Sequence, residues 1–370
     1  MVTTNRIRAA CVDDVRSKLR QRSDGYQAIV VVSGVANALT GEAGRRDHAE
    51  LVRATAENLG VGPESVLAAC TGVIGPRLPL SRVTAALPRV VQDLGEGWVA
   101  LHQAASAILT TDTTVKMAGR SFRLTDGRRA SVVGIAKGSG MIAPVLSPPQ
   151  ATTLAFLLTD APLTGPGAQE ILRAGTDQTF NMVCVDGDTS TNDMVLLLAN
   201  GAAGGPPADS DPCVARAVEA TLEDLAQQVA ADGEGATKLL TVEVHGAADP
   251  GQARQAARAV TRSPLVKTAL FGADPNVGRI ACALGYSGAE FDPSRLSIVL
   301  VDGARRFPLL QEGRIAEELP HGGGSRLRLR LRQMDHVRLR IDLGAGTGEA
   351  TAWGCDLSHG YVHINSAYRT

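Results

Sequence analysis

The stretch QATTLAFLLTDA, residues 150–161, places a small residue and a threonine directly before a continuous apolar run. A short apolar run bounded by polar residues is typical of a buried β-strand. A similar run occurs at Ala28–Val32, and the stretch from Gly41 to Leu59 has the spacing of an amphipathic helix. Strand-like and helix-like segments alternate in this way along the chain, which predicts an α/β fold.

Two further segments give specific structural expectations. Asp211 followed by Pro212 predicts the start of a helix, and apolar residues then recur at helical spacing until Gly233, so that Glu234 lies at the helix exit. Leu296–Val301 has the pattern of a strand, and the Asp302-Gly303 dipeptide after it predicts a tight hairpin turn into a second strand.

Near the C-terminus, two segments are predicted to be strands. Arginine and leucine alternate from Arg326 to Arg332, which indicates a half-buried strand with one basic face rather than a nucleic-acid stripe, because no aromatic residues interleave for stacking. Tyr361–Ile364 also has a strand pattern, which would anchor the C-terminal residues.

The composition bounds the class of protein. The chain has 370 residues, of which 44% are hydrophobic and 20% charged, as expected of a folded soluble protein. A net charge of -1 gives no field to attract nucleic acid or an anionic membrane. The longest apolar stretches are too short to span a bilayer, and charges interrupt any N-terminal signal, so we expect a cytoplasmic location. The six cysteines form no CxxC pair and are expected to be buried free thiols.

Lys137 opens the glycine-rich segment KGSGMIAP, residues 137–144. Its glycines would let backbone amides approach another group closely, but it lacks the Gly-Lys-Ser/Thr ending of a phosphate-binding loop. Taken with the threonines at 152 and 153, the string from Gly134 to Ala161 resembles the bifunctional ornithine acetyltransferase/N-acetylglutamate synthase family.

Other motifs match this family in the same order, so that the resemblance covers essentially the whole chain. They are Thr3–Arg6, Ser33–Gly41, Thr71–Gly75, Thr110–Thr113, Phe180–Asp193, Asp232–Lys238, Ser263–Gly278 and Gly354–Thr370.

The resemblance implies a self-processing acyltransferase with an N-terminal nucleophile and a layered α/β sandwich fold. Cleavage between Ala151 and Thr152 would give fragments 1–151 and 152–370, and the family forms a dimer of such processed heterodimers. The implied reaction moves an acetyl group from N-acetylornithine to glutamate in arginine biosynthesis, without a cofactor.

The chemistry of threonine is consistent with that implication. A threonine hydroxyl is a weak nucleophile at neutral pH and needs a base within hydrogen-bond reach. Cleavage would free the α-amine of Thr152, with an ordinary pKa of about 7.7–8.0, as that base. The hydroxyl could then accept an acyl group from one amino acid and pass it to another through a threonine ester.

Several residues match functional positions of the family. Thr71 and Gly72 match its oxyanion-hole pair, and the charges of Lys137 and Glu234 match substrate contacts, although these two could instead pair with each other. Three further positions match substrate contacts, namely Thr111, Asn365 and Thr370. His359 and His363 are assigned no catalytic role and are expected to face solvent.

The segment DGDTSTND, residues 186–193, alternates oxygen-bearing side chains as metal loops do. Family members carry this string without a dedicated metal site, and such side chains can satisfy backbone amides in a tight turn instead. No metal site is therefore predicted.

The chain also departs from the family pattern. The segment before Thr152 is about four residues longer and contains Pro148-Pro149, Val35 and Val277 replace an asparagine and a tryptophan, and a stretch before Thr3 is absent. Two alternatives stay open on these grounds: a paralogue with a different acyl donor or acceptor, or an uncleaved inactive relative. A third is an amidohydrolase that uses the same nucleophile with water.

Overall fold

The computed structural model describes residues 1–143, the backbone of 146–147, and residues 153–316 and 325–367. These residues form two compact units. Unit 1 contains 1–181 and 188–225, and unit 2 contains 182–187 and the described residues from Ala226 onward. These boundaries differ from the predicted fragments 1–151 and 152–370, which are defined by a peptide cut and not by packing.

Unit 1 contains a six-stranded mixed sheet in the order β4-β5-β7-β9-β1-β6. Its strands are β1 (Val2–Thr3), β4 (Lys116–Arg123), β5 (Arg129–Lys137), β6 (Leu146–Ser147), β7 (Leu154–Thr159) and β9 (Met194–Ala199). β5 pairs antiparallel with β7, so that Lys137 lies opposite Leu154, and β7 pairs parallel with β9, so that Leu154 lies opposite Met194. The start of β7 is therefore held from both sides.

A second sheet in unit 1 consists of two parallel strands, β2 (Ala28–Val35) and β3 (Val66–Val73), joined by the helix α2 (Gly41–Leu59). A parallel pair requires such a crossover, and α2 ends at Gly60, whose left-handed φ of 69° lets its N–H cap the last turn. The remaining helices of this unit are α1 (Ala10–Gln21), α3 (Leu80–Gln92), α4 (Gly97–Ala107) and α5 (Gly165–Gln178). Fully buried apolar side chains from α1, α2 and β3 form its core.

The helix α6 (Pro212–Ala231) contains the division between the units, which falls after Leu225. Unit 2 holds a seven-stranded sheet in the order β13-β12-β11-β14-β10-β15-β8. Its strands are β8 (Val183–Cys184), β10 (Leu239–Ala247), β11 (Ser297–Asp302), β12 (Arg305–Gln311), β13 (Arg314–Ile315), β14 (His336–Asp342) and β15 (Gly348–Cys355). Its helices are α7 (Pro250–Arg262), α8 (Pro264–Phe271), α9 (Val277–Gly285), α10 (Ser325–Gln333) and α11 (His359–Ala367).

The α/β prediction is confirmed, and so are the local predictions for β2, α2, α6 and the β11–β12 hairpin. β2, α2 and α6 begin where the sequence predicts them, and Asp211 accepts a hydrogen bond from Cys213 N (2.8 Å) at the start of α6. β11 and β12 form the predicted hairpin, in which Asp302 pairs with Arg305. These elements are set by local signals, namely caps, turn residues and apolar spacing.

Both predicted C-terminal strands are wrong. The alternating segment Arg326–Arg332 lies in the helix α10, where Leu327 and Leu331 are buried one turn apart and Leu329 is 58% exposed. Residues at i and i+4 share a helix face, so two leucines suffice for an apolar stripe while the arginines remain in water. Tyr361–Ile364 likewise lies in the helix α11 rather than in a strand.

Four of the six cysteines are buried as expected, namely Cys11, Cys70, Cys184 and Cys355. Cys213 is half-buried and Cys282 is exposed, which corrects the expectation for these two. No helix within the described ranges has the length and apolarity needed to cross a membrane.

Candidate active site

The ends of β2 and β3 bring two glycines into close contact. Gly72 has a φ of 122° and lies opposite Gly34. A Cβ on Gly72 would lie 2.3 Å from the carbonyl carbon of Gly34, so no other residue fits there without moving the backbone. Thr71, directly before it, is 8% exposed. Both residues lie within β3 near its end, where a threonine hydroxyl and a glycine amide follow each other in the sequence. We call them the Thr71–Gly72 segment.

Lys137 lies at the end of β5, and its ammonium contacts the Thr71–Gly72 segment. Its Nζ donates to Thr71 Oγ1 (3.2 Å) and to Thr110 Oγ1 (2.7 Å), and the residue is 8% exposed. A lysine ammonium has three donors and no acceptor, so the Thr71 oxygen must accept in this contact. The hydrogen of the Thr71 hydroxyl is therefore turned away from Lys137 and is available to another acceptor.

A buried carboxylate, Asp112, holds this arrangement together. Its side chain has no solvent exposure, and it accepts from Lys116 Nζ (2.7 Å), Gly138 N (2.6 Å) and Thr110 N (3.1 Å). Lys137 Nζ lies 3.9 Å from its second oxygen. We call Thr71, Thr110, Asp112, Lys116 and Lys137 the lysine cluster.

Burial alone would raise the pKa of Asp112, but the ammonium groups of Lys137 and Lys116 and the Gly138 amide outweigh it and lower the pKa below its ordinary value. Asp112 is therefore ionised at neutral pH. Asp112 belongs to the Thr110–Thr113 motif but is not among the predicted site residues, and its four-residue spacing from Lys116 is the sequence signal that points to it.

Unit 2 holds a second group of predicted residues. Glu234, 6% exposed, follows α6 and accepts a hydrogen bond from Asn365 Nδ2 (2.8 Å) on α11. Asn365 also donates to Tyr361 O (3.0 Å) within the helix. We call Glu234 and Asn365 the glutamate pair.

The loop that carries Glu234 is fixed against the start of α11. Gly235 has a φ of 68°, and a Cβ there would lie 2.3 Å from the backbone nitrogen of Tyr361. The buried Asp356 carboxylate accepts from Thr237 N (2.7 Å) and Lys238 N (3.0 Å). A left-handed glycine and a buried carboxylate therefore set the position of Glu234.

The other predicted residues are placed as follows. Thr111 is half-buried beside Thr110. Of these two neighbouring threonines, Thr110 is the one whose hydroxyl accepts from Lys137. Ala151, Thr152 and Thr370 lie outside the described residues. His359 and His363 are exposed, as expected, and the His359 ring packs edge-on against Phe271.

The metal-like segment satisfies backbone groups in unit 1. Thr189 Oγ1 donates to Ala143 O (3.0 Å), and Asn192 Nδ2 donates to two main-chain carbonyls. Within the described ranges, no group of three or more His, Cys, Asp or Glu side chains is arranged to hold a metal ion.

Comparison with known proteins places the chain in one family. The model of the ArgJ family matches residues 1–370. The arginine biosynthesis bifunctional protein ArgJ of Symbiobacterium thermophilum is 48% identical over 100% of this chain and 88% of its own length. The glutamate N-acetyltransferase of Methanothermobacter thermautotrophicus is 41% identical over 100% of this chain and 89% of its own length.

A solved structure agrees with this result. The crystal structure of the arginine biosynthesis bifunctional protein ArgJ from Bacillus halodurans is 41% identical, with a TM-score of 0.51, and the match covers 56% of this chain and 96% of that chain. The family resemblance found in the sequence is thereby confirmed: the chain belongs to the ArgJ family.

Proposed function

We propose that this protein transfers an acetyl group from N-acetylornithine to glutamate in arginine biosynthesis. Its relatives carry the names arginine biosynthesis bifunctional protein and glutamate N-acetyltransferase. The observation that supports this reaction most directly is the contact of Lys137 Nζ with Thr71 Oγ1, which leaves the threonine hydrogen free to donate beside the Gly72 amide.

In the proposed mechanism, Thr152 is the nucleophile. Its hydroxyl oxygen attacks the acetyl carbonyl of the donor while its α-amine takes the hydroxyl proton. The C–N bond then breaks, and the proton passes to the departing ornithine amine. In the second half, the amine of glutamate attacks the carbonyl of the threonine ester and gives a proton to the Thr152 α-amine. The C–O bond of the ester then breaks, and this proton passes to the threonine oxygen, which regenerates the hydroxyl. The proposal needs no cofactor.

Thr71 and Gly72 would stabilise the negative oxygen that develops in each tetrahedral intermediate. Loss of one such donor costs about 3–4 kcal/mol of transition-state stabilisation in known enzymes. The Lys137 ammonium polarises the Thr71 hydroxyl and adds positive charge behind it, and Asp112 keeps that ammonium in place. The two donors are therefore preorganised before the substrate arrives.

The remaining predicted residues would bind the amino-acid parts of the substrates. A buried carboxylate such as Glu234 suits a substrate ammonium, and Asn365 orients that carboxylate. Lys137, Thr111 and Thr370 are proposed as further substrate contacts, as the family resemblance implies.

We also propose that the chain cuts itself between Ala151 and Thr152 into fragments 1–151 and 152–370, which assemble as a dimer of heterodimers. The length of the Bacillus halodurans chain supports the cut. The match takes in 56% of the present chain but 96% of the solved chain, so the solved chain is little more than half as long as the present one. A fragment 152–370 would have a similar length.

The test combines fragment analysis with an assay. Purified protein should give two bands on a denaturing gel, and N-terminal sequencing of one band should begin at Thr152. Thr152→Ala should stay full length and transfer no acetyl group. Two fragments from this variant would refute the cut site, whereas a single wild-type band would identify an uncleaved relative. Hydrolysis without transfer would identify an amidohydrolase. Transfer that requires other acyl donors or acceptors would identify a paralogue.

A further inference from the structure

Asn192 makes contacts that the proposed mechanism does not use. It is 4% exposed, and its amide nitrogen donates to Ala36 O (2.6 Å) and Cys70 O (2.8 Å). Its amide oxygen accepts from Thr191 Oγ1 (2.6 Å). Both donors and the acceptor of this side chain are thus engaged within unit 1.

One carbonyl that Asn192 binds directly precedes the Thr71–Gly72 segment, and the other follows the neighbouring strand. Cys70 lies directly before Thr71 and Gly72 on β3, and Ala36 follows β2. Ala36 N in turn donates to Val73 O (2.9 Å), directly after Gly72. One side chain therefore bonds to both strands close to the two proposed oxyanion donors.

Two residues further along the chain, the same segment holds another strand. Met194 N donates to Thr153 O (2.8 Å), and Met194 pairs with Leu154 in the parallel register of β7 and β9. Thr153 is 4% exposed and follows Thr152 in the sequence. An extended chain rises only about 3.3 Å per residue, so the segment from Asn192 to Met194 is a short connection between the two sheets.

We propose that Asn192 is a positioning residue of the acetyl transfer and that it holds the Thr71–Gly72 segment at a fixed distance from the start of β7. We call the segment Asn192–Met194 the bridge. The inference rests on the proposed function, since it assigns the oxyanion role to Thr71 and Gly72. In this proposal Asn192 acts through these two residues and not through contact with the substrate.

The chemistry of the side chain explains why an asparagine stands here. Its amide provides two N–H donors for two carbonyls and one acceptor for a hydroxyl, without a charge that would need compensation. Aspartate would set a carboxylate against two carbonyl oxygens, and leucine would leave both carbonyls without this donor. Either replacement removes the link between β3 and the bridge while filling a similar volume.

The test uses Asn192→Leu and a matched control, Val66→Ala, in the full chain. Val66 is fully buried on β3 and lies four residues before Cys70, whose carbonyl accepts from Asn192. Its truncation therefore destabilises the same strand without changing the contacts of the bridge. Below the unfolding transition of both variants, we expect kcat to fall roughly 30- to 100-fold in Asn192→Leu, because small misplacements of catalytic groups cost about that much. KM for the acetyl donor should stay within about threefold of its wild-type value, since the substrate contacts remain.

A milder variant keeps the test decisive if Asn192→Leu does not fold. Thr191→Val removes the hydroxyl that orients the Asn192 amide and should lower kcat less, but again with KM nearly unchanged. Amide hydrogen exchange gives a readout that needs no substrate. Exchange should rise both in residues 70–73 and in residues 153–155 of Asn192→Leu and Thr191→Val. In Val66→Ala, the two segments should not both show this rise.

The outcomes separate the inference from the proposed function. A wild type that transfers no acetyl group would overturn the proposed function, while the exchange data would still decide whether the bridge holds the Thr71–Gly72 segment. An active wild type with an equally active, folded Asn192→Leu would overturn the inference alone. An equal loss of kcat in Val66→Ala would also overturn it, because general destabilisation would then account for the effect.

Discussion

The lysine cluster of unit 1 and the glutamate pair of unit 2 both keep a charged side chain out of water, but they do so by different means. Lys137 is fixed by a buried carboxylate that also binds Lys116 and a backbone amide. Glu234 is fixed by a glycine turn and by Asn365 on the surface of α11. The charge of Lys137 thus lies directly beside a buried carboxylate, whereas Glu234 is positioned by a loop, which Gly235 and the Asp356 carboxylate hold, and by a single amide.

The largest expected effect is that of Asp112→Asn. This change removes the Asp112 carboxylate from the buried ammonium of Lys116, and breaking a buried ion pair in this way costs about 3–5 kcal/mol. Urea denaturation should show the loss in the free energy of unfolding. The matched control is Asp126→Asn, which breaks an exposed pair with Arg128 and should leave that free energy nearly unchanged. Equal losses in the two variants would contradict the contrast between buried and exposed pairs.

The second effect concerns Gly235→Ala in unit 2. The new Cβ meets the Tyr361 backbone, and the left-handed φ adds strain, so we expect a loss of more than about 1 kcal/mol together with a higher KM. Gly303→Ala is the control, because Gly303 has a similar φ of 58° with nothing within 4 Å of the added Cβ. Thermal unfolding and steady-state kinetics should show a KM increase in Gly235→Ala alone. Identical KM values would mean that the turn does not position Glu234.

A smaller effect on stability is expected for Asn365→Ala. Asn365 is exposed, so its loss should change the free energy of unfolding by less than about 1 kcal/mol. The KM for substrate should nevertheless rise several-fold, because Glu234 loses the amide that orients it. Ser366→Ala, on the same helix, is the control. A KM that stays at the wild-type value would remove Asn365 from the proposed binding residues.

The smallest effect is a dependence of stability on pH in the acid range. The pKa of Asp112 is lowered in the folded protein, so its contribution to stability is complete above the ordinary aspartate pKa of about 3.9 and is lost as pH falls through the lowered value. The stability difference between wild type and Asp112→Asn should therefore stay constant from pH 7 to 5 and shrink in stronger acid. Denaturation series at several pH values would check this. A difference that already shrinks above pH 5 would contradict the lowered pKa.

The sequence predicted those parts of the fold that local signals determine. α6 and the β11–β12 hairpin follow from a cap, a breaker and a turn dipeptide, and both are found as predicted. α10 and α11 were predicted as strands because their short patterns satisfy a period of two as well as a helical period. In α10, the exposure of Leu329 between the buried Leu327 and Leu331 decides between the two periods, and only tertiary packing determines that exposure.

The candidate site was predictable from motifs only in part. Thr71 and Lys137 were identified by family resemblance, and the structure brings them to 3.2 Å. Asp112 was missed and Asn192 was interpreted only as a turn residue, because their contacts join distant parts of the chain. The Asn192 bond to Cys70, for example, spans 122 residues, a separation that no local pattern encodes.

The contact between Gly34 and Gly72 has a consequence for how this protein can evolve. A methyl group at position 72 would clash with the opposing main chain. We therefore expect selection to remove substitutions at this position, whatever substrate the enzyme acts on. Divergence toward new acyl groups must then begin at other positions, and libraries built to alter selectivity should leave this residue untouched.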